Sequence, residues 1–250
     1  MSDKKVAFIT GANRGIGRET ARQLGKLGIT VVIGARDAKK GEEAASALRS
    51  QGIAAESLRC DVINPADHGA AYSYFERKFG KLDILVNNAG VHLESENGDP
   101  GAAGGRTSTL SPQILRKTFD ANFFAPIALA QALLPLIRKS PAGRIVNLSS
   151  VLGSLTLHAT PGSPIYDFKA LAYDSSKTAL NAFTIHLAYE LRDTPIKVNS
   201  AHPGWVKTDM GGPNAPMEIA DGGKTSTQLA TLPADGPTGG FFHLGEPLPW

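Results

Sequence analysis

Residues 6–10, from Val6 to Thr10, form an unbroken apolar run that stops at Gly11 and gives way to a helix-like stretch. No other feature constrains the chain as much. A strand apolar on both faces has to be covered on both faces. Alternating such strands with amphipathic helices builds a parallel sheet between two helix layers. The alternation continues along the chain. Strands are expected at 30–34, 53–62, 82–87, 144–149, 197–201 and 240–244. Helices are expected at 16–27, 38–50, 65–79, 111–139 and 175–192. In the first helix Ile16, Thr20, Leu24 and Leu27 recur at helical spacing. Pro65 opens its helix in the first turn, where a missing N–H costs nothing. Pro126 and Pro135 predict kinks in 111–139. The reading is a single α/β domain over 1–250, with a doubly wound, mostly parallel sheet of seven strands and helices on both faces.

Composition removes several function classes. Hydrophobic residues make up 42% of the chain, enough to bury a core, so a wholly disordered chain is excluded. The 27 glycines follow no three-residue period, which excludes collagen. The net charge of +3 comes from 26 basic and 23 acidic side chains, scattered along the chain. No basic run forms a nucleic-acid or membrane patch, so neither partner is expected. A single cysteine, Cys60, excludes an internal disulfide and any multi-cysteine metal cluster, and it reads as a buried strand thiol. The six histidines show no metal-ligand spacing, and His92, Glu94 and Glu96, which could pass for a ligand cluster, lie in a polar loop, so no metal is expected. The first residues lack the apolar segment and cleavage site of a signal peptide. The longest apolar window, 123–137, is broken by Pro126, Gln131 and Pro135 and is shorter than the about 20 residues that cross a bilayer. The expected location is cytoplasmic.

Three stretches break the rhythm, at 94–109, 152–172 and 205–221, and each follows an expected strand. In an open α/β sheet ligands bind beyond the carboxyl ends of the strands, so these loops are where a pocket should lie.

Two clusters carry chemistry. The first is Thr10-Gly11-Ala12-Asn13-Arg14-Gly15-Ile16-Gly17, between a strand and a helix. Glycine permits the tight turn and a close backbone approach, and the helix start presents free N–H groups to a pyrophosphate. The second strand then runs into Ala35 and Arg36, where an NAD site usually carries an acid. Two guanidinium groups, Arg14 and Arg36, suit a 2′-phosphate. Asp37 leaves the alternative open, because it takes the acidic role if the strand runs one or two residues longer. The second cluster is Tyr173 and Lys177, four residues apart and hence on one helix face. A cation there lowers the tyrosine pKa and suits it to proton transfer. Tyr166 fits helical geometry less well, since its lysine, Lys169, is three residues on.

Asn87-Asn88-Ala89-Gly90, Asp120-Ala121-Asn122, Ser149-Ser150 and His202-Pro203-Gly204-Trp205-Val206-Lys207-Thr208 complete an ordered set. Together with the glycine loop and the Tyr173/Lys177 pair, it resembles the short-chain dehydrogenase/reductase family over nearly the whole chain. Arg14, residues 34–37, residues 203–210 and Trp250 resemble its NADPH-dependent carbonyl reductase branch.

The resemblance implies a Rossmann-type fold and NADP(H) as cofactor. The implied reaction is reduction of a ketone or aldehyde, a small-molecule carbonyl substrate, to an alcohol. It makes Tyr173 the general acid and gives Lys177 the tuning of its pKa and the nicotinamide ribose. Ser150 orients the carbonyl, and Asn122 completes a proton relay. Ser149 and Ser150 point to opposite faces of a strand, and the family's usual match is Ser150. The implied cofactor contacts are Thr10, Gly11, Asn13, Arg14, Gly15, Ile16, Gly17, Arg36, Asp61, Val62, Asn88, Ala89, Gly90, Tyr173, Lys177, Pro203, Gly204, Val206 and Thr208. Tyr173 lies further from Ser150 than is usual in the family, which implies an insertion within 152–172. Long insertions there go with monomers, so a monomer is favoured over a dimer or tetramer. Two other functions remain open. One is an NAD(P)-dependent alcohol or hydroxysteroid dehydrogenase working in the oxidative direction. The other is a non-catalytic NADPH-binding sensor on the same fold.

Overall fold

The computed structural model describes residues 4–94 and 107–250. In chain order these residues form β1 (Val6–Thr10), α1 (Gly15–Lys26), β2 (Thr30–Ala35), α2 (Ala38–Arg49), β3 (Ala55–Arg59), α3 (Pro65–Phe79), β4 (Ile84–Asn87), α4 (Pro112–Phe119), α5 (Ala125–Ile137), β5 (Arg144–Leu148), α6 (Leu155–Ala159), α7 (Leu171–Glu190), β6 (Lys197–Ala201), α8 (Ile219–Gly222), α9 (Lys224–Ala230), β7 (Phe241–His243) and β8 (Glu246–Pro247). The strands make one sheet in the order β3-β2-β1-β4-β5-β6-β7-β8. Pairing is parallel from β3 to β7, and β8 returns antiparallel to β7.

Side-chain alternation along β1 distributes the core. Val6 and Phe8 point to one face, where they meet Phe75, Leu85, Leu129, Leu133, Leu187 and Val198. Ala7 and Ile9 point to the other, against Leu24, Ala45, Leu48, Val86 and Leu229. Both faces of the central strands β1, β2 and β4 are buried, so those strands carry no polar alternation. β1 is bonded to β2 on one side and to β4 on the other. The chain reverses its direction of progress there, and the carboxyl edge of such a sheet at that point is where ligands bind.

The doubly wound α/β class agrees with expectation, and three details differ. An eighth strand exists because Leu244 and Gly245 both take positive φ (49° and 92°), a two-residue hairpin that turns β8 back onto β7. Leucine is a poor signal for such a turn. The strand expected at 53–62 is only Ala55–Arg59, an edge strand paired to β2 alone. The helix expected at 111–139 contains a π-turn, Asp120–Phe124, between α4 and α5. Pro126 lies in the first turn of α5 and offers no N–H to the Asn122 carbonyl four residues back. The helical run 112–137 is therefore continuous, and by length and composition alone it could cross a membrane, unlike the shorter window considered above. In the fold half of its apolar window is buried, with Leu129, Leu133, Leu136 and Ile137 in the core.

The stretch expected to be an irregular loop at 152–172 includes α6, started by Ser154, whose hydroxyl accepts from the Leu157 amide. The stretch 205–221 includes a bridge between Val206 and Met217 and most of α8. Of the stretch 94–109, residues 95–106 lie outside the described residues.

Candidate active site

The glycine loop crosses the carboxyl end of β1. Gly11 and Gly15 adopt φ of 62° and 54°, the left-handed region that glycine tolerates. A Cβ on Gly17 would lie 2.4 Å from the Asn88 amide nitrogen. α1 starts after Arg14 with no side-chain cap, so no side chain covers its first amides. Thr10 ties this loop to the one after β4, because its hydroxyl accepts from the amides of Asn88 and Ala89, both at 3.0 Å. The Asn88 side chain donates back to the Thr10 carbonyl at 2.7 Å.

β2 ends at Ala35, and Asp37 caps α2 by accepting from the Lys40 amide at 3.1 Å. The carboxylate is thus engaged by its own helix, and Arg36 stands exposed at the strand end. Arg14 forms an exposed ion pair with Asp209, in the loop after β6. Asp61 and Val62 follow β3: Asp67 accepts from the Asp61 amide at 2.8 Å and pairs with Arg59, and His68 Nε2 bonds the Val62 carbonyl at 2.8 Å.

The reacting groups converge at the start of α7. Lys177 is 4% exposed, and its Nζ donates to the Leu148 carbonyl at 2.8 Å and lies 5.6 Å from the Tyr173 ring centre. Asn122, in the π-turn, accepts from the Val91 amide and donates to the Val91 carbonyl, both at 2.8 Å. Its side-chain nitrogen also reaches the Ser176 hydroxyl at 3.0 Å. Gly90 lies between these two residues, since a Cβ on it would sit 3.1 Å from Asn122 Oδ1 and 3.5 Å from Lys177 Nζ. Ser150 follows β5, and its hydroxyl accepts from the Leu152 amide at 3.2 Å and interacts with the Tyr173 phenol. Ser149 is buried on the other side with its hydroxyl unpaired. His202 accepts from the Val151 amide, and burial pushes its pKa down to about 3, so it supports the turn as a neutral ring.

The remaining expected contacts lie at the carboxyl edge of the sheet. Pro203 and Val206 are buried, with Val206 bridged to Met217, and Gly204 has φ of 89°. The Thr208 methyl carbon is 3.7 Å from where a Cβ on Gly15 would stand. Asn13 and Ile16 are carried by the glycine loop and the first turn of α1.

The expected direction of the Tyr173 pKa is wrong for this structure. Burial raises it to about 12, the Ser150 hydroxyl draws it down, and the neighbouring Asp174 raises it further. Lys177 is itself desolvated, which lowers its own pKa to about 8. A cation four residues away on one helix face does not outweigh the loss of water around both groups.

The sequence reading missed three supports. These are Asp67 beneath Asp61, Ser176 beside Asn122, and Glu94, which accepts from the Tyr173 backbone amide at 2.8 Å. Glu94 was visible only as part of a polar loop; Glu96 lies outside the described residues.

The chain is similar to known proteins over most of its length. The family model described as short chain dehydrogenase matches residues 5–218. The NADPH carbonyl reductase 1 of Mus musculus is 31% identical over 292 residues, covering 100% of this chain and 99% of that protein. The (+)-neomenthol dehydrogenase of Capsicum annuum is 29% identical, covering 97% and 96%. The crystal structure of an NADPH-bound carbonyl reductase from chicken fatty liver superposes with a TM-score of 0.83 at 26% identity, covering 99% of both chains. The chain belongs to the short-chain dehydrogenase family of oxidoreductases.

Proposed function

We propose that this short-chain dehydrogenase uses NADPH to reduce a ketone or aldehyde to an alcohol, with Tyr173 as the general acid. The observation that carries the reading is the meeting of the Tyr173 phenol, Ser150 hydroxyl and Lys177 ammonium beside Gly90 and Asn122.

The residues present fit the cofactor. An uncapped helix start behind Gly11, Gly15 and Gly17 suits the pyrophosphate. Arg36 suits a 2′-phosphate because Asp37 is engaged as a cap, and Arg14 serves there when it leaves Asp209. Asp61 and Val62 would hold the adenine, Asn88, Ala89 and Gly90 the ribose side, and Pro203, Gly204, Val206 and Thr208 the nicotinamide end. The names of the mouse and chicken relatives support NADPH over NADH. Bound NADPH supplies the hydride for the carbonyl carbon.

The chain's own residues do the rest. A phenol whose pKa is raised to about 12 holds its proton at neutral pH, the resting state that reduction needs. Tyr173 gives that proton to the carbonyl oxygen. Ser150 already accepts from the Leu152 amide, which leaves its own O–H to donate to the same oxygen. Lys177 stabilises the phenolate left behind, and Asn122 holds Val91 and the Gly90 loop against it. The reading includes a single domain over 1–250, a monomer and a cytoplasmic location.

NADPH oxidation followed at 340 nm against a panel of ketones and aldehydes tests the reading. Tyr173→Phe should keep NADPH binding and lower turnover by about 100-fold or more. Full turnover in that variant would remove Tyr173 from its role.

A further inference from the structure

The first residues of α7 carry the reacting phenol, yet the helix has no cap of its own. Its N-cap is Ala170, which has no polar side chain. In a usual helix start the N-cap side chain accepts from the amide three residues on. Here that amide belongs to Tyr173, and its acceptor is Glu94 Oε2 at 2.8 Å, from the segment that follows Gly90. Asp174 completes the arrangement by accepting from the Ala170 amide at 2.9 Å through Oδ2.

The second oxygen of each carboxyl, Glu94 Oε1 and Asp174 Oδ1, is buried and has no hydrogen-bond partner among the described residues. Glu94 and Asp174 are 7% and 8% exposed, and they repel one another electrostatically.

We propose that Glu94 is a positioning residue for Tyr173, capping α7 in place of Ala170. The inference rests on the catalytic reading of Tyr173. Glu94 is four residues beyond Gly90, so the clamp also fixes the loop against Lys177 to the helix that bears the acid.

Among the described residues three titratable side chains besides Lys177 stand around the two carboxyl groups and the phenol: His158, Lys169 and His92. His158 Nε2 is 3.3 Å from Asp174 Oδ2 and also bonds the Leu152 carbonyl at 2.9 Å. Burial lowers the His158 pKa, and Lys169 lies at its other nitrogen at 3.2 Å. Lys169 draws the Asp174 pKa down and Glu94 pushes it up. With burial as the largest cause, Asp174 reaches about 7. His92 packs on the Tyr173 ring at 4.7 Å, and its pKa is lowered by burial and raised by Glu94. The Tyr173 phenol itself is pushed up by Asp174.

The test compares wild type, Glu94→Ala and Glu94→Gln by turnover from pH 5.5 to 9, NADPH affinity, and urea denaturation from pH 4 to 8. In Glu94→Ala, kcat should fall at least 10-fold while NADPH affinity changes less than 3-fold. Glu94→Gln keeps an acceptor for the Tyr173 amide and gives Asp174 a donor. It should recover to within 3-fold of wild type at pH 7, and an ionisation near 7 in its rate profile should move down, because Asp174 loses a neighbouring carboxylate.

Denaturation needs no substrate. An Asp174 pKa above its unfolded value means that the folded state holds the extra proton, so the Asp174 contribution to stability falls as pH rises from about 4 to about 7, against the rise contributed by the buried neutral His202. Glu94→Gln removes the carboxylate that pushes the Asp174 pKa up, so it should gain stability relative to wild type across that range. Wild-type kcat in Glu94→Ala, a Gln variant as impaired as the Ala variant, or an identical rate profile and pH dependence of stability in wild type and Glu94→Gln would overturn the proposal. If Glu94→Ala does not fold, the Gln variant alone decides by the same two comparisons. If wild type turns over no carbonyl compound, the catalytic reading fails, and the stability difference between Glu94→Gln and wild type still decides whether Glu94 acts on the start of α7.

Discussion

Replacing Lys177 by methionine should stabilise the protein at pH 7 while abolishing its turnover. The side chain is buried, and desolvation lowers its pKa from 10.5 to about 8. Below pH 8 the folded chain therefore carries a charge that water would solvate better. At about 1.4 kcal/mol per pKa unit, holding it costs about 3 kcal/mol. Methionine matches the unbranched stem and has no charge to desolvate. It also deprives the Leu148 carbonyl of a donor at 2.8 Å, a loss of about 1–2 kcal/mol. The net expectation is a gain of about 1–2 kcal/mol at pH 7, read as the difference in urea denaturation between variant and wild type. The difference depends on pH with a definite sign. Between about pH 8 and 10.5 the folded wild type sheds the proton that the unfolded chain still binds, so wild-type stability rises relative to the variant. By pH 10 the advantage of methionine should have vanished or reversed. A variant less stable than wild type at pH 7, or a difference that does not move with pH, would refute the electrostatic account of this lysine.

Two further predictions concern the cofactor end. Arg36→Ala should weaken NADPH binding by about 10-fold or more, the worth of a charge-assisted contact, and leave NADH affinity nearly unchanged in fluorescence titrations. Equal losses for both cofactors would place the 2′-phosphate elsewhere. Gly17→Ala drives a Cβ to 2.4 Å from the Asn88 amide nitrogen and should cost about 1–3 kcal/mol in urea denaturation, with weaker cofactor binding. Gly69→Ala, in α3 with nothing within 4 Å of the new atom, should instead stabilise by about 0.5–1 kcal/mol.

Elements written in short-range pattern were legible in the chain. The apolar run that stops at Gly11 is β1, Pro65 opens α3, and 197–201 is β6. The glycine loop and the Tyr173/Lys177 spacing are equally local. The π-turn was less legible, although Pro126 is its sequence trace. β8 was not legible, because Leu244 is an unusual residue for positive φ.

What the sequence determined by itself is therefore the alternation of strand and helix, the dry central strands, and the residue types available at the carboxyl edge of the sheet. These follow from periodicity, which acts between near neighbours. Only the tertiary structure decided which groups share a site and in what protonation state. Glu94 meets the amide of Tyr173 from 79 residues away, and Asn122 is turned onto the loop after β4. The Tyr173 pKa rises where helix spacing alone argued that it should fall. Burial is set by every segment packed around a group, and no local pattern records that sum.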